Sequence, residues 1–137
     1  MAVKIVIDSA SDISEKEALS LGISMLPMEI TFGENTYLDG VNLLPHEFYE
    51  KLIEERTLPK TSQVNSFRWQ EEFEKHIKNG DEVVAITLSS KLSGTYNSAK
   101  NAAQNFNGKV YVVDSLNAAL GESLLLRYAL RLVKQGN

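Results

Sequence analysis

Polar side chains follow three apolar runs of this sequence, at the point where each run ends. The runs are "VKIVI", "EVVAITL" and "KVYVV", and each passes directly into carboxylate or hydroxyl groups. If the runs are parallel strands, their carboxyl ends meet at one edge of a sheet, where open α/β sheets bind ligands. Helix capping and turn formation are the alternative interpretation of the same residue types. The predicted edge comprises Asp8, Ser9, Ser89, Ser90, Ser93, Asp114 and Ser115.

The segment "SSKLSGTYNSA" joins the second apolar run to a helical pattern. Gly94 allows a tight turn or the close approach of a ligand, and the start of the following helix presents unpaired N–H groups. Together with the hydroxyls of Ser93 and Thr95, such a helix start can bind a carboxylate or a phosphate. Ser93 as an ordinary helix cap is the alternative. A further polar loop, "TSQ" at residues 61–63, could fold over the same edge.

Several kinds of catalytic chemistry are excluded or disfavoured by the sequence. Without cysteine the chain has no thiol nucleophile, and the phosphate-loop and nucleophile-elbow motifs are absent. His46 and His76 lie in helical patterns, so neither is expected to meet a serine at a strand end. Asp8, Asp12 and Asp114 could hold Mg²⁺, although loop bracing is the favoured role for them. We therefore predict no catalytic residue, no metal and no cofactor.

Composition bounds the class of protein. The chain has 137 residues, a formal net charge of -4 and ordinary proportions of apolar and charged residues. This size fits one domain with a sizeable core, and the acidic balance argues against a nucleic-acid partner. No apolar run reaches the length of a membrane span, and no signal-peptide pattern opens the sequence. The expectation is a cytoplasmic protein.

The elements that must position these polar residues alternate between strands and helices. The alternation predicts β-α-β units, and hence an α/β fold with a mostly parallel open sheet and helices on both faces. A single domain is expected over residues 1–137. Pro27 interrupts a strand pattern in "ISMLPMEITFG", which suggests a sheet edge or an irregularity.

Helical patterns occupy the segments between the strands. Ser14 and Glu17 have capping-box spacing, and Gly22 is placed to end that first helix. Apolar residues on one helical face are expected to pack into the core. For the helices that follow, these residues are Phe48, Leu52 and Ile53, and then Trp69, Phe73 and Ile77.

The motifs "DSASD", "TYLDG", "KTSQ", "LSSKLSGTYNSA" and "VVDSLNAALGES" occur here in the order and spacing found in the DegV family. The resemblance covers nearly the whole chain, and the combination is specific although each motif alone is weak. It implies binding of a long-chain fatty acid, with no enzymatic activity, and possible presentation of the acyl group to a separate fatty acid kinase. The resemblance implies that Thr61, Ser62 and Ser93 bind the carboxylate through hydrogen bonds and that Gly94 shapes the turn. The implied supporting residues are Asp8, Ser9, Gln63, Ser89, Ser90, Thr95, Asp114 and Ser115.

The sequence departs from the family pattern in two respects. The family usually has proline after the TSQ segment, whereas this chain has Val64, which predicts a less rigid loop. Members of the family also have a second domain of similar size that faces the ligand head group. The present chain resembles the N-terminal half, so the C-terminal domain is expected as a missing partner of the site.

Two other classes of function remain open on the residues alone. One is a small-molecule phosphotransferase-like enzyme that binds phosphate at the helix start after "LSGT". The other is an interaction module, which would present a large exposed apolar face.

Overall fold

The computed structural model describes residues 3–11, 13–39, 43, 45–54, 59–117 and 120–135, with only the backbone of Pro45 and Leu120. Asp12 lies outside the described residues. Seven strands and five α-helices make up the described part of the chain. In chain order they are β1 (Val3–Asp8), α1 (Glu15–Leu21), β2 (Ser24–Leu26), β3 (Glu29–Phe32), β4 (Asn35–Leu38), α2 (Pro45–Glu54), β5 (Lys60–Ser62), α3 (Ser66–Lys78), β6 (Glu82–Thr87), α4 (Thr95–Ala103), β7 (Val110–Asp114) and α5 (Leu120–Lys134).

The main sheet is parallel and has the strand order β2-β1-β6-β7. From β1 the chain passes to β2 on one side, and it later returns through β6 on the other side. The order therefore reverses between β1 and β6, and the crevice beyond their carboxyl ends is where such sheets bind ligands.

Helices cover both faces of this sheet because successive strand residues point to opposite sides. Val6 and Val83 pack on one face in a core that contains Trp69 and Phe73 of α3 and residues of α4. On the other face, Ile7 belongs to a core formed with α1 and α5. The predicted α/β architecture with a mostly parallel sheet is confirmed.

A second, antiparallel sheet was not predicted from the sequence. Its strand order is β4-β3-β5, and Ile30 and Phe32 of β3 form a small core with Leu43. The pattern around Pro27 indicated one interrupted strand, but the residues before and after it belong to different sheets. Proline cannot donate to a sheet ladder, and here it stands at the point where the chain changes sheet.

Local signals for helix ends agree with the structure. The Ser14 hydroxyl accepts a hydrogen bond from the backbone N–H of Glu17 at 3.0 Å, and Gly22 ends α1 with φ of 70°. Trp69 and Phe73 are fully buried, as their helical spacing predicts, and Ile77 packs against the same core.

Two sequence expectations about local structure were wrong. The predicted apolar face of α2 is incomplete, because Phe48 packs against the small core whereas the side chain of Ile53 is 86% exposed. The TSQ segment was expected to be a loop, but Thr61 and Ser62 belong to β5, which pairs with β3. The sequence offers little signal for a strand of this length because its residues are polar and exposed.

Candidate functional site

Asp8 links the two central strands at the carboxyl edge of the main sheet. Its Oδ2 atom accepts a hydrogen bond from the backbone N–H of Leu88 at 2.8 Å, and Oδ1 accepts one from Ala10 at 3.0 Å. The Ser11 hydroxyl donates to the Asp8 carbonyl oxygen at 2.9 Å. Because Asp8 is fully buried, these contacts replace the water that it would otherwise bind. The carboxylate therefore braces the sheet edge.

Glu122 contacts the Asp8 carboxyl from the first turn of α5. The Glu122 side chain acts on the Asp8 carboxyl at short range, and both residues are fully buried. Burial raises the pKa of Asp8, and the hydrogen bonds from Leu88 and Ala10 together with the neighbouring Glu122 side chain only partly offset that effect. Two ionised carboxylates buried side by side would repel each other, which favours one proton shared by the pair.

Three serines at this edge bond to nearby backbone. The Ser9 hydroxyl accepts from the N–H of Met28 at 3.0 Å, which joins β1 to the segment between the two sheets. The Ser89 hydroxyl accepts from the N–H of Lys91 at 3.2 Å, and the Ser115 hydroxyl donates to a carbonyl oxygen at 2.9 Å. These contacts order the loops after the strands. We call Asp8, Ser9, Ser89, Asp114 and Ser115 the braced edge.

Asp114 has a more open environment than Asp8. Its Oδ1 atom accepts from the backbone N–H groups of Ser90 at 3.1 Å and Leu116 at 3.0 Å. Slight desolvation acts to raise the pKa of Asp114, but hydrogen bonds from Ser90 and Leu116 and the charge of Lys91 lower it overall. Leu116 has a φ of 57°, an unfavourable conformation for a leucine, and the Asp114 carboxylate holds its N–H there.

The second polar region surrounds the start of α4. The hydroxyl of Ser93 lies 3.0 Å from that of Thr95 and accepts from the N–H of Thr95 at 3.2 Å. Gly94 occupies the cap position of α4 and makes no side-chain cap bond. The side chain of Ser93 is half-buried, so it keeps a solvent-facing side. Ser93 therefore bonds to the helix start without occupying the cap position, and its role toward a ligand stays a prediction.

The TSQ segment docks on this helix start. The N–H of Val64 donates to the Thr95 hydroxyl at 3.3 Å, and Gln63 Nε2 donates to the Ser98 hydroxyl at 3.3 Å. Val64 is fully buried and anchors the TSQ segment. The sequence had predicted that valine at this position would make the loop less rigid. We call Thr61, Ser62, Gln63, Ser93, Gly94 and Thr95 the hydroxyl corner.

The Gln63 side chain lies directly against Gly94. A Cβ atom placed on Gly94 would lie 2.0 Å from Gln63 Oε1, far inside van der Waals contact. Any larger residue would therefore push the Gln63 side chain away from the helix start.

Thr61 and Ser62 are exposed but do not share a face of β5. Thr61 pairs with Ile30 and Ser62 with Glu29, so their side chains point to opposite sides of the small sheet. Because β5 ends the β4-β3-β5 order, a carboxylate that contacts both hydroxyls would have to lie across the outer edge of β5. Their role toward a ligand stays a prediction.

The two histidines lie apart from these polar regions. His76 contacts Glu72 at 3.0 Å and the Ser24 hydroxyl at 3.3 Å, and Ser24 begins β2, the strand at the side of the main sheet. His46 is an exposed residue of α2. Among the residues that the structure describes, which do not include Asp12, no three metal-ligating side chains cluster.

Two apolar surfaces lie at opposite ends of the main sheet. Leu92 and Leu116, 69% and 64% exposed, follow β6 and β7 at the carboxyl edge. A groove near the amino ends of the strands is lined by Tyr111 of β7 and by Leu132 and Val133 of α5, among others. No described helix has the length and apolarity needed to cross a membrane.

Glu122 and Val64 are site residues that sequence reasoning missed. A single glutamate in the first turn of a helix is usual, because it complements the helix dipole. Nothing in the sequence indicates that this one meets Asp8. Val64 acts through its backbone N–H, which every residue except proline carries, so its residue type gave no signal.

Comparison with known proteins gives matches along the whole chain. Residues 2–137 match the family model described as "Uncharacterised protein, DegV family". A DegV domain-containing protein of Clostridium perfringens is 36% identical over 135 residues, which are 98% of this chain and 48% of that protein. The chain thus spans about half the length of the curated relatives it matches.

Solved structures give the same coverage. A DegV family protein from Thermus thermophilus, described by its fatty acid binding, superposes with a TM-score of 0.91 at 32% identity, over 100% of this chain and 49% of that one. DegV from Bacillus subtilis, described as a fatty acid binding protein, superposes with a TM-score of 0.90 at 31% identity, over 99% of this chain and 49% of that one. A stearic acid-binding protein from Eubacterium ventriosum superposes with a TM-score of 0.89 at 30% identity, over 99% of this chain and 48% of that one.

Proposed function

The chain belongs to the DegV family, and from that premise we propose that it binds the carboxylate of a long-chain fatty acid at the hydroxyl corner. The observation that carries the proposal is the packing of the TSQ segment on the start of α4, through Val64 and Thr95. This contact places hydroxyl groups beside a helix N-terminus, an arrangement that favours an anion. The fatty acids bound by the relatives supply the class of ligand.

In this proposal the residues of the corner have separate roles. The hydroxyls of Thr61, Ser62 and Ser93 donate to the carboxylate, and hydrogen bonds to a charged group are stronger than those between neutral groups. Gly94 gives Gln63 the room to lie against the helix start. The braced edge stabilises the loops without touching the ligand, because its carboxylates would repel a second negative charge.

The acyl chain needs apolar surface in addition to the corner. Leu92 and Leu116 supply exposed apolar side chains at the same edge of the sheet. Each buried CH₂ contributes about 0.8 kcal/mol, so tight binding of a long chain requires extensive burial. We propose that a second polypeptide segment, corresponding to the half of the relatives that this chain does not span, covers the rest of the ligand.

The proposed activity is binding and presentation. The hydroxyls of Ser93 and Thr95 bond to each other and to backbone N–H groups, whereas His76 contacts Glu72 and Ser24. A corner of this kind holds a carboxylate and leaves its chemistry to another protein. A separate fatty acid kinase that forms the acyl phosphate is the partner we propose.

Native mass spectrometry of the purified chain tests the proposal, followed by organic extraction and identification of any released acid. We expect a bound fatty acid in the wild type, its loss in Ser93→Ala, and its retention in Ser20→Ala, a matched change on the exposed surface of α1. If the wild type is empty, the measurement is repeated with the C-terminal half of a relative added. Continued absence of fatty acid would refute the proposal.

A further inference from the structure

Thr95 carries a buried hydroxyl at the centre of the hydroxyl corner. The residue is fully buried, and its Oγ1 atom accepts from the backbone N–H of Val64 at 3.3 Å. The same Oγ1 atom lies 3.0 Å from the Ser93 hydroxyl, which itself accepts from the N–H of Thr95 at 3.2 Å. Each backbone N–H occupies one lone pair of the hydroxyl that accepts it, so the direction of the bond between the two hydroxyls depends on which hydroxyl hydrogen has another acceptor.

The direction follows from counting donors and acceptors. If Ser93 donated to Thr95, the buried Thr95 hydroxyl hydrogen would lack an acceptor among the contacts of the described residues, and a buried donor left in that state is costly. If Thr95 donates to Ser93, every polar atom of the buried Thr95 side chain is satisfied. Ser93 then receives two hydrogen bonds, and its own hydroxyl hydrogen points to the solvent-facing side.

We propose that the Val64 N–H and the Thr95 hydroxyl form a one-way hydrogen-bond relay that fixes Ser93 as a donor toward the ligand. This inference rests on the proposed function and adds a basis for head-group selectivity. Val64 and Thr95 are positioning residues, because they act through Ser93 and do not touch the head group.

The relay selects head groups by their hydrogen-bonding character. A carboxylate only accepts hydrogen bonds, so it matches a donor held in one direction. A long-chain alcohol both donates and accepts, so its affinity depends little on the direction of the Ser93 hydroxyl. The ratio of the two affinities therefore reports the relay, whereas damage to the apolar surface lowers both affinities together.

Affinities of decanoate and decanol for the chain, measured by isothermal titration calorimetry, test the selectivity. Thr95→Val keeps the side-chain shape but removes the hydroxyl, and we expect the decanoate preference over decanol to fall about tenfold. Thr95→Ser should restore it. Val64→Pro, which removes the N–H donor and also fixes the backbone φ, should lower the preference, whereas Val64→Ala, which keeps the donor, should not. An unchanged preference in Thr95→Val would overturn the relay.

A measurement without ligand separates this inference from the proposed function. NMR of hydroxyl protons in the unliganded chain should show slow solvent exchange for Thr95 and fast exchange for Ser93, and Val64→Pro should speed the exchange of Thr95. A protected Ser93 proton with an unprotected Thr95 proton would reverse the relay and refute it. If exchange is as expected but wild type binds neither decanoate nor decanol, the relay stands as local structure and the selectivity it was proposed to provide is refuted.

Discussion

The braced edge and the hydroxyl corner both contain serine hydroxyls, but they differ in what their polar atoms bond to. At the braced edge, Asp8 is fully buried and its carboxylate oxygens bond to backbone N–H groups of two strand ends. At the hydroxyl corner, Thr61 and Ser62 are exposed and Ser93 is half-buried. The difference is one of burial, because a buried polar atom must be satisfied inside the protein whereas an exposed one can exchange water for a ligand.

This comparison shows that clustering of polar residues at strand ends does not by itself identify a binding site. All of the strand-end residues lie at one edge of the sheet, and several of them only stabilise it. A ligand is expected where hydroxyl groups keep bonding capacity toward solvent.

The largest expected effect is the difference in stability between asparagine variants of the two strand-end aspartates, Asp8 and Asp114. In Asp8→Asn, an amide N–H₂ group replaces an oxygen that accepts a backbone N–H, so two donors face each other in a buried position. We expect a loss of about 2–3 kcal/mol in the free energy of unfolding, measured by urea denaturation. Asp114→Asn, at a half-buried position, should lose no more than about 1 kcal/mol. Equal losses would show that burial does not separate the two residues.

The two aspartates should also respond to pH in opposite directions. The folded pKa of Asp8 is raised above its ordinary value of 3.8, so folding binds a proton and this contribution to stability is lost as pH rises above 3.8. The folded pKa of Asp114 is lowered, so its contribution is lost as pH falls below 3.8. The free energy of unfolding, measured by urea titration at several pH values, should therefore decline less above pH 4 in Glu122→Gln than in wild type. The glutamine amide can donate to Asp8 without a shared proton. A decline as steep as in wild type would contradict the proton-sharing pair.

The smallest expected effect concerns Leu116, which lies between the two regions. Its positive φ is relieved by glycine, so Leu116→Gly should leave stability unchanged or raise it by up to about 1 kcal/mol. Loss of the exposed apolar side chain should at the same time weaken decanoate binding. Thermal denaturation and calorimetry on the same preparation measure the two effects. A clear loss of stability would mean that Leu116 has a packing role in the folded chain.

Local signals predicted much of the fold. The apolar runs of β1, β6 and β7 and the caps of α1 depend on residues close together in the sequence, and each was found at the expected position. The second sheet was missed because β5 has three polar, exposed residues and is ordered by pairing with β3. The separation of β2 from β3 at Pro27 likewise depends on which partner each strand finds.

The sequence by itself determined the order of β1, β6, β7 and the helices between them, the polar residues at the strand ends and the resemblance to the family. Tertiary structure alone decided which polar atoms are buried and bonded: Asp8 meets Leu88 across 80 residues, and Val64 meets Thr95 across 31. It also brought Glu122 to Asp8. The reason is physical, since residue type and neighbouring sequence fix hydrogen-bonding capacity and local conformation, whereas burial and partners depend on contacts between distant segments.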